Sequence, residues 1–376
     1  MVIGIDASRA FLKRRTGIEE YSYQVIKHLR DELPFDAKVV LYVRKKLEIG
    51  NWKLEIRTPE IDFPLPQNWV VRALWAPRFW TQIGLSLEML FHTPDVLFVP
   101  AHTVPMIHPG RTVVTIHGLE YEFCPEGYSF WERIYMHSSI MFSCRVASTV
   151  ICVSENTKKD VMKLYGVSEE KIVVISEGYE SKYQVSGIKY DVLNTEYGIQ
   201  NTPYLLFIGR LEERKNVVRM IEAFESVKEK YQIPHELVLV GKPGYGYKRI
   251  QYQVSRSKYK NAIIEKGYVT EEEKWGFLKH ADVFLFPTLY EGFGIPVLEA
   301  QSVGVPVVTS NISSLPEVAG DGAVFVDPES VESIAEGMYR ILSDQELRSA
   351  IIEKATRNAG RFSWASSARE ISDVFH

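Results

Sequence analysis

The chain has 376 residues and a mass of 43.1 kDa, more than one ordinary hydrophobic core accommodates, so we expect two domains. Hydrophobic residues make up 45% and charged residues 24% of the sequence, which is typical of a globular protein and excludes a disordered or collagen-like chain. The net charge of −4 gives no electrostatic reason to expect a nucleic acid as a partner.

The three cysteines, Cys124, Cys144 and Cys152, are an odd number without metal-ligand spacing. We expect them to pack as small apolar residues in a reducing compartment. The first ten residues resemble a strand and a loop rather than a signal peptide, and no apolar run approaches the ~20 residues of a membrane-spanning helix. The sequence therefore predicts a cytoplasmic protein that meets a membrane, if at all, from its surface.

Short β-rich segments alternate with amphipathic helical patterns along the chain. In the first half the predicted strands are 2–6, 38–43, 95–99, 112–117, 149–153 and 171–175, with a helix over 18–33. In the second half the predicted strands are 204–208, 236–240, 262–265, 283–286, 306–309 and 323–326, and the predicted helices are 216–230, 271–280, 296–303 and 331–342. This alternation predicts parallel sheets covered by helices.

The periodicity fades in a polar stretch between the two halves, which is the best candidate for a linker. We predict an α/β protein with a first doubly wound domain over 1–180, a linker over 181–202 and a second domain over 203–360. A last helical pattern lies within 361–376, and we expect it to pack back on the first domain.

A basic loop follows the first strand of the second half. Gly209 allows the backbone to pass close to a ligand, and Arg210 and Lys215 stand at the strand end beside the next helix. Fixed cations beside a helix N-terminus favour two adjacent phosphates. The alternative is a solvated loop in which Glu212 and Glu213 neutralise the bases.

A glycine-rich loop with the sequence EGFGIP follows the predicted strand 283–286. Gly292 and Gly294 allow successive backbone amides to point at an anion. Because carboxylates repel phosphate, Glu291 and Glu299 are better suited to accept hydrogen bonds from sugar or ribose hydroxyls. A glycosidase-type acid/base pair is a second interpretation, and the simplest one is a helix-dipole role for Glu299 with a solvated Glu291.

Other nucleotide-binding classes lack their motifs. No glycine-rich dinucleotide fingerprint follows the first strand, and there is no phosphate-loop lysine motif. The sequence therefore argues against a nicotinamide dehydrogenase and a P-loop ATPase. There is also no Asp-x-Asp pair to hold a diphosphate through a divalent cation, so we expect no metal site.

Together these motifs resemble a known family. The pattern Glu291-x7-Glu299 in EGFGIPVLEA, with GRLEERKN upstream, is similar to that of the retaining GT-B glycosyltransferases of the group-one family (family four). Further similar segments occur in the right order along most of the chain, including RRTGIEEY, VVTIHGLEYE, ICVSENTKKDV and GDGAVFVDP. The overall appearance is similar to bacterial mannosyltransferases of polysaccharide and O-antigen assembly. The resemblance implies two Rossmann-like domains facing each other across a cleft.

The resemblance also implies roles for the matching residues. Arg210 and Lys215 would hold the donor diphosphate, Glu299 the ribose, and Glu291 and His117 the donor sugar. With these, the implied donor-binding positions are Gly17 over the phosphates, Val269 near the base, and Gly209, Gly292, Phe293, Gly294 and Ile295 along the sugar and phosphates.

Two positions depart from the family pattern. The first loop has Arg15-Thr16-Gly17 where many relatives have paired glycines, which weakens the expected phosphate contact. His117 is followed by Gly118 where many relatives have aspartate. Without the resemblance, His117 would be interpreted as a hydrogen-bonded core histidine.

The family reaction moves a hexose from a nucleoside diphosphate sugar to a hydroxyl of a saccharide or lipid-linked saccharide, with retention at the anomeric carbon. It implies front-face attack without a metal or cofactor. GDP-mannose is the first choice of donor, and UDP-hexoses and deoxysugar donors are alternatives. A non-hydrolysing nucleotide-sugar epimerase of the same fold and an inert sugar-nucleotide-binding subunit are alternatives from other classes.

The aromatic stretch 69–91 has two interpretations. Its second part places four apolar residues on one helical face, namely Phe79, Ile83, Leu87 and Leu90. We favour a helix whose apolar face packs on the first sheet. The alternative is an interfacial surface, with the tryptophans and arginines of the stretch near lipid headgroups, which would make the protein peripheral on the inner face of the cell membrane.

Overall fold

The computed structural model describes residues 1–12, 15–50, 53–57, 60–76, 79–180 and 202–376, without side chains over 46–50 and 53–57. They form two compact units. The first comprises Met1–Leu119, Phe130–Gly178 and Ser363–His376, and the second comprises Glu120–Ser129 and Tyr179–Phe362. All but the last residue of the predicted linker, 181–202, lies outside the described residues.

The strands confirm the predicted alternation. In chain order they are β1 (Val2–Asp6), β2 (Lys38–Arg44), β3 (Lys46–Gly50), β4 (Lys53–Arg57), β5 (Trp69–Leu74), β6 (Val96–Val99), β7 (Thr112–Ile116), β8 (Thr149–Cys152), β9 (Ile172–Val174), β10 (Tyr204–Ile208), β11 (Glu236–Val240), β12 (Ile263–Gly267), β13 (Val283–Phe286), β14 (Val307–Ser310) and β15 (Ala323–Val326). The first unit contains a seven-stranded parallel sheet in the order β5-β2-β1-β6-β7-β8-β9, and β3 and β4 form a separate antiparallel pair.

The helices cover these sheets. In chain order they are α1 (Gly17–Glu32), α2 (Ser86–Phe91), α3 (Glu120–Phe123), α4 (Phe130–Val146), α5 (Glu155–Tyr165), α6 (Val217–Tyr231), α7 (Tyr247–Arg256), α8 (Glu271–His280), α9 (Ile295–Ser302), α10 (Leu315–Ala319), α11 (Val331–Ser343), α12 (Gln345–Ala359) and α13 (Trp364–Val374). None of the helices in the described part of the chain is both long and apolar enough to cross a bilayer.

The second unit contains a six-stranded parallel sheet in the order β12-β11-β10-β13-β14-β15. Its strands are almost continuously apolar, because helices cover both faces; Leu205, Leu206 and Phe207 of β10 are fully buried. β10 pairs with β11 on one side and with β13 on the other. The direction of winding therefore reverses between β10 and β13, and ligands of open α/β sheets bind at such a switch point, outside the carboxyl ends of the strands.

The chain ends in the first unit. α13 packs against α1, where Arg369 Nε lies 3.1 Å from Glu32 Oε2. Ser367 Oγ donates a 2.7 Å hydrogen bond to the Ser176 carbonyl. These contacts hold the last helix against the end of α1 and the segment that follows β9, as predicted for the tail.

The segment Glu120–Ser129 belongs to the second unit, although it lies within residues 1–180. Its Phe123 ring stacks on the Tyr290 ring, with centroids 4.7 Å apart and an interplanar angle of 11°. A stacking contact between residues so distant in sequence leaves no trace in the local hydrophobic periodicity.

The favoured interpretation of the stretch 69–91 is wrong. Trp69–Leu74 is the edge strand β5, and the predicted apolar face is 50–64% exposed at Phe79, Ile83, Leu87 and Leu90. The helical part instead buries its other side, through Leu85 and Met89. Because apolar residues lie on both sides of this helix, periodicity alone did not decide which side packs.

Candidate functional site

The loop after β10 passes very close to the loop after β11. Gly241 has φ +149°, and a Cβ at this position would lie 1.8 Å from the Gly209 carbonyl oxygen. The Leu211 amide donates to the Lys242 carbonyl at 2.8 Å. The close approach requires glycine at 241, and it fixes the backbone on both sides of Arg210, whose side chain is 62% exposed.

Lys215 and Glu291 form a buried ion pair between the loops after β10 and β13. Lys215 Nζ lies 2.6 Å from Glu291 Oε1, and the two side chains are 12% and 11% exposed. Burial would raise the pKa of Glu291, but the charges of Lys215 and Arg214 outweigh it and hold that pKa below its ordinary value. The interpretation of Glu291 as a solvated loop charge is therefore excluded.

The pKa of Lys215 is also lowered, because burial and repulsion by Arg214 outweigh the attraction of Glu291. A buried ammonium whose charged form is disfavoured gains most from additional negative charge. The Lys215 side chain is therefore in an environment suited to binding an anion.

Arg214 is a site residue that sequence analysis missed. Its Nη1 donates to the Tyr290 carbonyl at 2.8 Å and lies 3.3 Å from Glu291 Oε1. Its Nη2 donates to Glu212 Oε1 at 3.0 Å. Burial disfavours the charge of Arg214, but Glu291, other acidic groups and Tyr128 nearby raise its pKa overall. The guanidinium therefore holds both the carboxylate of Glu291 and the backbone beside it. In the sequence, only its position next to Lys215 indicated that Arg214 could belong to the site.

Asn216 lies between the basic loop and α6. The residue has φ +61°, and its side chain makes no cap hydrogen bond. Its Nδ2 instead donates to the carbonyls of Pro287 at 2.9 Å and Pro328 at 2.7 Å. The buried amide thus connects the basic loop to the start of the glycine-rich loop.

Two serines hold the glycine-rich loop from the side of α10. Ser314 Oγ lies within hydrogen-bond distance of the carbonyls of Glu291, at 2.9 Å, and Phe293, at 2.6 Å. The Glu291 amide donates to Ser313 Oγ at 3.0 Å. These bonds fix the loop backbone that runs from Glu291 through Gly292 to the start of α9.

Gly294 ends this loop with φ +120°, and a Cβ there would lie 2.8 Å from Leu315 Cδ2. Both the backbone angle and the close contact disfavour a side chain. The conformation leads directly into α9, so that the backbone of Phe293, Gly294 and Ile295 lies at the N-terminus of this helix. Such an N-terminus favours an anion.

Glu299 pairs with a lysine from the neighbouring helix. Lys274 Nζ of α8 lies 2.8 Å from Glu299 Oε1 and 3.1 Å from Glu271 Oε2. Val269, predicted to lie near the base, is partly buried against the core just before α8. Sequence analysis missed Lys274, because a lysine beside three glutamates is typical of a solvated helix start.

Gly17 and His117 lie in the first unit. His117 Nε2 lies 2.9 Å from the Pro100 carbonyl, and Nδ1 lies 3.0 Å from Glu177 Oε1. The ring thus has the contacts of a hydrogen-bonded core histidine, and a donor-sugar contact through either nitrogen would require one bond to be given up. Gly17 opens α1, and a Cβ there would meet no described atom within 4 Å.

Comparisons with known proteins match this architecture. The family model described as Glycosyltransferase Family 4 matches residues 15–182, and that described as Glycosyl transferases group 1 matches residues 193–358. The chain belongs to the group 1 glycosyltransferases. Both loops of the candidate site lie within the second match. The predicted family is therefore confirmed.

Individual relatives agree with the family assignment. The glycosyltransferase is 27% identical over 384 residues to the O-antigen chain mannosyltransferase B of Escherichia coli, covering 96% of each chain. It is 24% identical over 331 residues to the O-antigen chain mannosyltransferase RfbU of Salmonella typhimurium, covering 85% of this chain and 86% of that protein.

A solved structure confirms the predicted GT-B fold. The Anabaena protein HepE, determined in complex with UDP and glucose, superposes with a TM-score of 0.72 at 18% identity, covering 99% of this chain and 98% of HepE. At this level of identity the likeness concerns the fold alone.

Proposed function

We propose that this glycosyltransferase transfers mannose from GDP-mannose to a hydroxyl of a saccharide or a lipid-linked saccharide. The observation that carries the proposal is the buried Lys215–Glu291 pair at the switch point of the second sheet. The pair combines a cation suited to a phosphate with a carboxylate suited to a sugar. The names of the two mannosyltransferase relatives support mannose as the transferred sugar.

The donor diphosphate binds Arg210 and Lys215 in this proposal. Arg210 has an exposed guanidinium, and its Nε lies 4.0 Å from Glu212 Oε2, so this weak contact is easily exchanged for a phosphate. The N-terminus of α9 adds its amides. Glu299 binds the ribose and Val269 lies near the base, and the family resemblance assigns Gly17 to the phosphates.

The reaction proceeds with retention at the anomeric carbon. The bond from that carbon to the phosphate oxygen breaks while the acceptor oxygen forms its bond on the same face, and the acceptor proton passes to the departing phosphate oxygen. Arg210 and Lys215 stabilise the charge of the leaving diphosphate. Glu291 orients the sugar and favours its developing positive charge, with His117 as a second contact to the sugar.

The proposal includes neither a metal ion nor an organic cofactor. The diphosphate charge is balanced by Arg210, Lys215 and the helix N-terminus, and the chemistry is sugar transfer by positioning and charge stabilisation. A nucleotide-sugar donor is a cytoplasmic metabolite, so we place the reaction in the cytoplasm.

A panel of nucleotide sugars tests the donor without any acceptor. Thermal unfolding is measured with GDP-mannose, UDP-glucose, UDP-galactose and a dTDP-deoxyhexose, because a ligand of the folded state raises the unfolding temperature. GDP-mannose is expected to stabilise the protein most. A larger shift with a UDP-hexose would contradict the assignment of GDP-mannose as the donor. A UDP-hexose is the main alternative donor, because HepE was solved with UDP and glucose. Conversion of the sugar nucleotide to its epimer without an acceptor would instead identify an epimerase.

The exposed apolar face of the first unit supports contact with a membrane. Between residues 79 and 91 the only charged residue is Glu88, which is 10% exposed and pairs with Arg72. An exposed helical face without an exposed charge suits the interfacial region of a bilayer. In this proposal the protein lies on the inner face of the cell membrane.

Vesicle sedimentation tests this contact. The protein is mixed with vesicles of phosphatidylethanolamine and phosphatidylglycerol, and Ile83→Asp/Leu87→Asp is expected to remain in the supernatant while the wild type sediments. Phe35→Asp is the control, since Phe35 is 94% exposed outside this face. Wild-type protein that stays in the supernatant would contradict the proposed contact.

A further inference from the structure

We infer that Lys274 is a positioning residue for Glu299, and that through this carboxylate it determines how tightly the ribose of the donor is bound. The inference rests on the proposed function, in which Glu299 accepts hydrogen bonds from the ribose hydroxyls. It adds Lys274 of α8 to the residues of the proposed donor site.

The contact between Lys274 and Glu299 is short and shielded from water. Lys274 Nζ lies 2.8 Å from Glu299 Oε1, and the side chains are 15% and 14% exposed. The residues lie on different helices, α8 and α9. A partly buried, charge-assisted bond of this kind restricts rotation of the carboxylate more than an exposed ion pair does.

The stability of α8 does not explain a lysine at this position. Lys274 directly follows Glu271, Glu272 and Glu273, which occupy the first turn of the helix and suit its positive end. A cation near that end is unfavourable for the helix, so its partners must compensate. Glu299 of α9 and Glu271, 3.1 Å away, are these partners.

Lys274 remains charged in this setting. Burial lowers its pKa, but the two carboxylates outweigh burial and raise the pKa above its ordinary value. The charged ammonium donates to Glu299 Oε1 at 2.8 Å, a charge-assisted hydrogen bond that an ionised carboxylate accepts. An ionised carboxylate accepts shorter and stronger hydrogen bonds from hydroxyl groups than a neutral carboxyl group does.

The position of Lys274 also connects two parts of the donor. The segment between β12 and α8 contains Val269, proposed to lie near the base, and continues into the turn that carries Lys274. One segment thus contacts the base directly and supports the ribose through Glu299. We therefore expect Lys274 to contribute to the preference for a ribonucleotide over a nucleotide without ribose hydroxyls.

The test compares the binding of GDP and 2′,3′-dideoxy-GDP by isothermal titration calorimetry. UDP and 2′,3′-dideoxy-UDP are titrated in parallel, so that the test is valid whichever base the protein prefers. Lys274→Met is expected to weaken binding of the ribonucleotide about tenfold, the effect of losing one charge-assisted hydrogen bond. Binding of the dideoxynucleotide is expected to stay unchanged, since it has no hydroxyl for Glu299. Lys274→Arg should retain most of the wild-type affinity.

Three further variants make the result decisive. Lys279→Met removes an exposed lysine from the same helix and should leave binding unchanged. Glu299→Gln should weaken ribonucleotide binding, and Lys274→Met/Glu299→Gln should be no weaker than Glu299→Gln alone, because the lysine acts through the carboxylate.

Two results would overturn the inference while leaving the proposed function intact. In one, Lys274→Met weakens binding of both nucleotides equally, as a merely structural residue would. In the other, it has no effect although Glu299→Gln weakens ribonucleotide binding. If Glu299→Gln itself leaves ribonucleotide binding unchanged, the ribose role of Glu299 in the proposed function fails first, and the inference fails with it.

Discussion

Lys215 Nζ lies 2.6 Å from Glu291 Oε1, so the residue proposed to bind phosphate also neutralises the residue proposed to bind the sugar. Arg214 lies 3.3 Å from the same carboxylate oxygen. Two cations therefore share one carboxylate, and their charges hold the pKa of Glu291 below its ordinary value although burial would raise it.

The proposed contacts to the donor diphosphate predict that Arg210→Ala and Lys215→Ala each impair turnover more than folding. Losing one charged contact to the leaving diphosphate should cost about 2–4 kcal/mol at the transition state, or roughly 30- to 1000-fold in kcat/KM. Steady-state kinetics and thermal unfolding measure the two effects separately. Lys248→Ala, at an exposed position of α7, is the matched control. Near-normal turnover of the double variant Arg210→Ala/Lys215→Ala would contradict a role of these residues in binding phosphate.

Substitutions of the two glutamates, Glu291 and Glu299, are predicted to change different kinetic parameters. Glu299 holds the ribose, which does not change during the reaction, so Glu299→Gln should raise KM for the donor and leave kcat nearly unchanged. Glu291 holds the sugar, which gains positive charge, so Glu291→Gln should lower kcat more than donor affinity. Kinetics with varied donor distinguish the two patterns. Equal and small effects at both positions would show that the motif does not bind the donor.

Arg214→Gln is predicted to move both limbs of the pH profile of kcat/KM to higher pH. Glu291 must be ionised, so activity falls as the pH drops through its pKa, and this pKa rises when the guanidinium is lost. Lys215 must be protonated, so activity falls as the pH rises through its pKa, which rises when the repulsion of Arg214 is lost. A rate reduced equally at every pH would indicate a structural role alone.

Much of the fold follows from local sequence. Strands such as Val283–Phe286 are buried along their whole length and are apolar throughout, and the turns after them contain glycine where the backbone requires it, as at Gly294. The order of strands and helices then limits the topology to doubly wound sheets. For the same reason, the two loops of the candidate site were placed correctly at the ends of β10 and β13.

The partners inside the site do not follow from local sequence. Lys215 and Glu291 are 76 residues apart, and Lys274 and Glu299 are 25 residues apart. Each pair depends on how separate elements pack, and no spacing rule connects them. Neither Arg214 nor Lys274 was therefore recognised, because each lies in a run of charged residues that also suits a solvated surface.

Transfer is predicted to be independent of divalent metal ions. The cationic side chains and the N-terminus of α9 supply the positive charge that a metal would otherwise bring to the diphosphate. Initial rates are measured after exhaustive treatment with EDTA and again with added magnesium or manganese. Activity that disappears with the chelator and returns with either ion would contradict the prediction.

The central claim is that Arg210 and Lys215 bind the donor diphosphate, and calorimetric titration with GDP and GMP tests it most directly. UDP and UMP are titrated in parallel, and EDTA is present throughout. The account predicts that the wild type binds the diphosphate at least about tenfold more tightly than the monophosphate, and that Arg210→Ala/Lys215→Ala binds both with similar affinity. Equal binding of the diphosphate and the monophosphate by the wild type, or an unchanged preference in the double variant, would contradict it.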